Sequence, residues 1–294
     1  MDILVIVTLA LMGALLGSFT VAQVWRLRAQ QLVEDKQQGE PVDTKELKRL
    51  KGLLRPLTQD RSECLSCHTR LAWYDLVPIL SWLSLGGRCR YCKAPIGATE
   101  ILAEVGLAAV FVISYIVWPY SLNSVGQVIP FALWLVACVV GAILLVYDAK
   151  WYLLPFSLNI TLMILGALYL GSQVLMNGQE LSLLSLGIAI LLLGGLYLLF
   201  SVFGWVGMGD GILGIGLALF LGNWQLAFLA LFIANLLGCL MIIPLYIAKK
   251  LHPKAKIPFG PFLILATFIS MLFGHYILPS LFTMTSNMLN TLML

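Results

Sequence analysis

The chain has 294 residues, of which 60% are hydrophobic and only 11% charged, with a mean hydropathy of +0.95. Soluble domains average about 45–50% apolar residues, so this composition excludes a chain organised around one water-solvated core and implies several bilayer crossings. The net charge of +4 is unevenly placed: 13 of the 18 Lys and Arg lie between Arg26 and Lys93, and the others are Lys150, Lys249, Lys250, Lys254 and Lys256. That placement reads as membrane topology, and no nucleic-acid partner is expected.

Residues 3–25 form the first span, ending in Gly17-Ser18-Phe19 and then Trp25-Arg26, an aromatic and a base at the expected interface. It runs into Arg26 and Arg28 without a small-residue cleavage pattern and is read as a retained helix. Residues 26–98 are the one sizeable polar region. Its first part, to about Asp60, is rich in Gln, Glu, Lys and Asp and is expected to be a solvated or partly disordered insert. Its second part holds four cysteines, two Trp and two Tyr.

Further spans are expected at 99–118, 128–147, 152–175 and 182–206. The stretch 210–248 is too long for one crossing at ~1.5 Å per residue and should break at Gly222-Asn223, leaving a short sixth helix. The eighth span is 259–282. The fold class is therefore all-α and polytopic, with about eight transmembrane helices and a small cytoplasmic domain between the first two. An excess of Lys and Arg marks the cytoplasmic side. The 26–98 segment and the turns at 149–151 and 249–257 should then be cytoplasmic, and both termini outside.

Under this topology the third span delivers Asp148 to the same edge at which Asp210, in Gly207-Met208-Gly209-Asp210, opens the sixth. Acids at membrane depth are costly and usually face a bundle interior or a watery cavity. Two carboxyls a few ångströms apart cannot both ionise, so one can polarise a carbonyl while the other deprotonates a water. A salt bridge to Lys150 is the bland alternative for Asp148 alone; the shared depth of the pair favours function. Glu100 and Glu104, at i and i+4 on one helix face, are kept as supporting or substrate-facing groups.

Cys64-x2-Cys67, 21 residues, then Cys89-x2-Cys92 has the spacing of a four-thiolate zinc site. Four thiolates leave no open coordination position, so the zinc is expected to be structural, and His68 is not assigned as a ligand. Disulfides are not expected in a reducing cytoplasm. Cys138 and Cys239 lie in apolar spans as small buried residues.

Taken together, Gly17-Ser18-Phe19, Arg61-Ser62-x-Cys64-x2-Cys67, Trp73-Tyr74-Asp75-x2-Pro78-Ile79-Leu80-Ser81-Trp82-Leu83, Gly87-Arg88-Cys89-Arg90-x-Cys92, Asp148 seven residues before Pro155, Gly207-Met208-Gly209-Asp210 and Pro258-Phe259-Gly260-Pro261-Phe262 occur in one order along nearly the whole chain. In this the chain resembles the bacterial type IV prepilin peptidases, a family of GxGD-type aspartyl membrane peptidases. The resemblance implies Asp148 and Asp210 as the catalytic pair and Cys64, Cys67, Cys89 and Cys92 as zinc ligands. It implies prepilin or pseudopilin substrates with a short basic leader, and possible contact with pilus or secretion machinery. For many members it also implies N-methylation of the new N-terminal residue from S-adenosylmethionine; the residues that bind this cofactor are not identifiable from sequence. The sequence departs from the family at Val21, where Asn is usual, at Phe156, where Asp is usual, and at Ile212, where Lys is usual. Gly87 matches a family glycine linked to methyl transfer, and its plain reading is a turn residue.

The expected division is a first transmembrane helix at 1–25, a cytoplasmic domain with the four-cysteine zinc site at 26–98, and a transmembrane peptidase core at 99–294, in the bacterial cytoplasmic (inner) membrane and surrounded by its lipid. Three rival readings predict different outcomes: a peptidase without methyl transfer, a non-catalytic prepilin-binding assembly factor, and a transporter with an acidic pathway.

Overall fold

A computed structural model describes residues 2–54, 61–204, 206–248 and 258–292, with side chains except at 245 and 280–292. The expected turn at 249–257, Trp205 at the end of the fifth span and residues 55–60 of the insert lie outside the described residues. Among the described residues eleven α-helices carry the chain: α1 Ile3–Gln37, α2 Thr44–Leu50, α3 Leu80–Ser84, α4 Ala98–Ile116, α5 Val125–Trp151, α6 Phe156–Asn177, α7 Leu183–Ile190, α8 Leu196–Val202, α9 Met208–Leu221, α10 Trp224–Ile247 and α11 Gly260–Leu292. A π-turn, Leu191–Gly195, joins α7 to α8 as one span. The same residues form no strand, only the isolated bridges Glu63–Arg70 and Arg88–Pro95. Seven of the described helical stretches are long and apolar enough to cross a membrane, and α9 is a shorter apolar helix of 14 residues.

The chain divides into two compact units, 1–115 and 116–294. In the first, Gly13 and Gly17 of α1 abut the α4 backbone: an added Cβ would lie 2.7 Å from Ala108 Cα at Gly13 and 2.5 Å from Glu104 Cα at Gly17. This is small-x3-small packing, in which missing side chains let two backbones close. The helix that carries the first span does not stop at residue 25, and the insert after it holds helical structure. α1 continues to Gln37, and Asp43 caps α2 by accepting from the backbone N–H groups of Lys45 and Glu46 at 2.8 and 3.2 Å. Ala29, Leu32 and Leu50 are buried together, and Arg28 pairs with Glu46 at 2.8 Å. Those apolar positions, three apart on α1, give the extension a face to bury despite its polar average.

In the second unit the central helix is α9. It ends at Gly222, whose φ of +68° supplies the left-handed cap, and Asn223 caps α10 by accepting from Leu226 N–H at 2.8 Å. The expected break is therefore where the chain turns. At ~1.5 Å per residue α9 spans ~21 Å, less than the ~30 Å hydrocarbon core. Its glycines bring neighbours close on both sides. At Gly211 and Gly214 an added Cβ would meet Leu198 and the Leu193 carbonyl of the π-turn span, and Gly216 faces Met163 of α6. The ends of the helices sort accordingly: Gly126 opening α5 lies against Met176 closing α6, and Trp224 N–H opening α10 donates to Ser185 Oγ of α7 at 3.1 Å.

Candidate functional site

At the opposite end of the second unit the start of α9 meets the α5–α6 turn and the start of α11. Asp148 lies in the last turn of α5, which stops because Tyr152 turns left-handed (φ +57°) and donates its N–H to the Asp148 carbonyl at 2.8 Å. Asp210 lies in the first turn of α9, its N–H donating to the Gly207 carbonyl at 3.1 Å. Leu154 joins the two: its side chain stands 3.0 Å from where a Cβ of Gly209 would be and 3.4 Å from that of Gly260. Both acids are buried, 4% exposed at Asp148 and 9% at Asp210, and their carboxyl groups are within Coulombic range of each other.

The surroundings of the two acids differ. The N-terminus of a helix favours a negative charge and the C-terminus opposes it, so Asp210 sits where its helix helps it and Asp148 where its helix does not. α11 compensates Asp148: Gly260 N–H, the first of that helix, donates to Asp148 Oδ2 at 3.1 Å. Pro261, lacking an N–H, follows at no loss because the first donors of a helix have no partner inside it. Asp210 Oδ1 is buried with no hydrogen-bond partner among the described residues. Asn159, fully buried on α6, donates from Nδ2 to the Gly209 carbonyl at 3.1 Å and so ties down the turn that carries Asp210. Tyr197 of α8 is buried against Phe259, 5.1 Å between ring centroids, and reaches the electrostatic range of Asp210.

In the first unit, Cys64, Cys67, Cys89 and Cys92 place all four Sγ atoms within 4.8 Å of one another, with Cys64 and Cys92 3.9 Å apart. A tetrahedral ion with Zn–S bonds of ~2.3 Å needs sulfur–sulfur edges of about 3.8 Å, so the four thiols fit zinc. The two knuckles share one backbone plan. Cys64 N–H donates to the Thr69 carbonyl at 3.0 Å and Cys89 N–H to that of Ala94 at 2.9 Å, and the residue after each second cysteine, His68 or Lys93, is left-handed at φ +57° or +59°. His68 turns away to Glu63, 3.2 Å from Nδ1 to Oε1. The Thr69 hydroxyl, 3.3 Å from Cys67 Sγ, pulls that thiol down to about 6, while burial pushes Cys64 up. The knuckle loop is fastened by Arg90 to Asp75 at 2.7 Å and by Ile79 N–H to Glu104 Oε2 at 2.7 Å.

Known proteins share this arrangement of sequence. The model of the bacterial peptidase A24 N-terminal domain matches residues 11–118, and that of the type IV leader peptidase family matches residues 133–243. A prepilin leader peptidase/N-methyltransferase of Pseudomonas putida is 30% identical over 93% of both chains. Those of Dichelobacter nodosus and Aeromonas hydrophila are each 32% identical, over 91% of both chains and over 74% and 73% respectively. The chain belongs to the type IV leader peptidase family. No solved structure matches it.

Within this member of the family, Asp148 and Asp210 come to one site and the four cysteines to another. Glu104 holds the backbone of Ile79, whose φ of +63° is unusual for a β-branched residue. Glu100 lies with Glu104 in the wall of a cavity in the first unit. Asn159, Tyr197 and the Gly260 N–H were not singled out as neighbours of the acids. A buried Asn within an apolar span, four residues after Pro155, is the one signal that could have revealed the first of them.

Proposed function

We propose that this chain is a membrane aspartyl endopeptidase that removes the short basic leader of type IV prepilins or pseudopilins at the cytoplasmic face of the bacterial inner membrane. In this reading Asp148 and Asp210 share one proton. One carboxyl donates a hydrogen bond to the scissile carbonyl; the other takes a proton from the attacking water and passes it to the leaving amine. The observation that carries the reading is the convergence of two buried carboxyls, from separate helix ends, at one end of the second unit. Lys150 just beyond Asp148, and the four lysines between Lys249 and Lys256 just before α11, support the cytoplasmic side for that end. A basic leader stays on the same side while its apolar continuation enters the bilayer, which puts the scissile bond at the depth of the pair.

The division of labour follows the chain: 1–25 anchors, 26–98 is the cytoplasmic domain and 99–294 the peptidase core. Cys64, Cys67, Cys89 and Cys92 would hold a structural zinc. The chain is also read as methylating the new N-terminus, in keeping with the names of its relatives. S-adenosylmethionine, when bound, supplies the methyl group that a neutral amine accepts with loss of a proton.

The test is cleavage of a prepilin by the full chain in proteoliposomes. Asp148→Asn and Asp210→Asn should each lower the rate by ~10²–10⁴-fold and leave prepilin binding intact. Cleavage that survives either change removes that residue from the mechanism. A wild-type chain that binds prepilin without cutting it would be an assembly factor, and ion flux through the acid site would mark a transporter.

A further inference from the structure

Residues 73–87 of the first unit carry a single charge, that of Asp75. It is satisfied internally: the Asp75 carboxylate, 2% exposed, accepts from Arg90 Nε at 2.7 Å and from Tyr91 Oη at 3.4 Å. The remaining side chains sort by face. Ser81, Trp82 and Leu85, on α3 and just after it, line a cavity of the first unit. Trp82 stands over Gly87 (φ +67°), where an added Cβ would lie 2.8 Å from its Cζ2. Leu80 and Leu83, three apart on the other face of α3, are 66% and 60% exposed, and Trp73 is 78% exposed. Large apolar side chains grouped in this way mark a surface that something covers.

Two helices fix the depth of this segment. Ile79 N–H donates to Glu104 Oε2 at 2.7 Å, and Glu104 is the seventh residue of α4, ~9 Å along it. With 19 residues, or ~29 Å, α4 is barely long enough to cross ~30 Å of hydrocarbon, so its first residue lies at the bilayer boundary and Glu104 inside it. α1 agrees: Gly17, in contact with Glu104, lies eight residues or ~12 Å before the interfacial pair Trp25-Arg26. Leu102 and Val105 of α4, at the same depth, are exposed too. The polar groups conform to that depth. The N–H groups of Ser81, Leu83 and Leu85 donate to the carbonyls of Val77, Ile79 and Ser81 at 3.1, 2.9 and 3.1 Å. Glu104 supplies the acceptor for Ile79, as surroundings without water require. Trp73 and Tyr74 meet edge to face at 5.7 Å between ring centroids, and the Arg90 guanidinium lies 5.0 Å from the Tyr74 centroid. Arg70, Arg88 and Lys93 flank the segment and are exposed. Rings ringed by bases suit the headgroup layer, where the bases meet anionic lipid. We infer that residues 73–83 are an interfacial anchor. Leu80 and Leu83 enter the acyl region of the leaflet where α4 begins, Trp73 and Tyr74 lie among the headgroups, and the cysteine knuckles are held against the membrane surface. The assignment is independent of the peptidase and methyltransferase readings.

The experiment is a depth measurement by nitroxide power saturation on the full, zinc-loaded chain lacking Cys138 and Cys239, in vesicles of phosphatidylethanolamine and phosphatidylglycerol. Labels are placed at Leu80→Cys and Leu83→Cys, with Leu102→Cys as the lipid reference and Gln38→Cys as the aqueous one. Zinc content establishes that each variant is folded. The ratio of oxygen to nickel-complex accessibility at 80 and 83 should match that at 102 and exceed that at 38 by about tenfold. A ratio equal to that at 38 would mean that the patch faces water. Low accessibility to both reagents would mean that protein, from this chain or another, covers it. Either outcome overturns the lipid assignment. As a second measurement, Leu80→Glu combined with Leu83→Glu puts two charges into the acyl region and should raise amide exchange across 76–86 in the same vesicles by about tenfold or more; exchange at the wild-type rate would overturn the assignment as well.

Discussion

Asp148 in the last turn of α5 is held by a backbone donor from α11, and its surroundings leave little room for change. An alanine at Gly260 would place its Cβ 2.8 Å from Asp148 Oδ2, so the carboxyl must move. A displacement of about 1 Å in a catalytic group can cost about 10²-fold. Gly260→Ala is therefore expected to lower kcat for prepilin cleavage by ~10–100-fold with an unchanged unfolding temperature, read by steady-state kinetics and a detergent melt. Asn159 acts on the other acid through the Gly209 carbonyl. Asn159→Ala removes that side-chain donor, a hydrogen bond worth about 0.5–1.5 kcal/mol, and should lower kcat with little change in KM, because no substrate contact is removed. A pair of carboxyls that share one proton should also give cleavage a bell-shaped pH dependence; a profile flat across the carboxylate range would refute the shared proton. The two acids were legible in the sequence because acids in apolar spans are conspicuous. Asn159 and Tyr197 were not, because an uncharged polar side chain in a span is commonplace and only its neighbours give it a role.

At the scale of helices, α9 shows how short length and small residues work together. Its glycines admit α6 on one side and the π-turn span on the other, and the Leu193 carbonyl sits where a Gly214 side chain would be. Gly214→Ala must push the two backbones apart, an overpacking cost of about 1–3 kcal/mol. The expected result is a lower unfolding temperature in detergent and a slower cleavage rate, since Asp210 moves with its helix. The cysteine knuckles are local elements of another kind. Each pair of thiols is positioned by its own tight turn, and a zinc ion held by all four would join the two. Chelation should therefore abolish amide-exchange protection across 61–97 while leaving that of α5–α11 unchanged. The Cys-x2-Cys spacing announced this element in advance. The extension of α1 to Gln37 was hidden, because the polar average of the insert masks the few apolar positions, Ala29 and Leu32, that meet Leu50.

For the whole molecule, the placement of Lys and Arg makes a sidedness prediction. Asn123 and Gly178 lie at the ends of α5 and α6 remote from the acids, and Lys150 lies beside them. In a background stripped of Cys138 and Cys239, a cysteine at 123 or 178 should be labelled by an impermeant thiol reagent from the periplasmic side, and one at 150 only after access to the cytoplasmic side. The reverse pattern would put the proposed cleavage on the wrong face for a basic leader. The succession of apolar helices, the break at Gly222-Asn223, the four-thiol cluster and the presence of the two acids were legible in the sequence itself, because apolar length, turn residues, charge placement and cysteine spacing act over a few neighbouring positions; of the eight expected spans, seven are long enough to cross among the described residues and the sixth is the short helix α9. Tertiary structure alone decided that Gly260 N–H supports Asp148, that Asn159 fastens the turn before Asp210, that glycines of α9 seat two different helices, and that Trp82 stands over Gly87 at the edge of a cavity. Each of these is a contact that no period or spacing along the chain encodes, so it could not be read before the chain is folded.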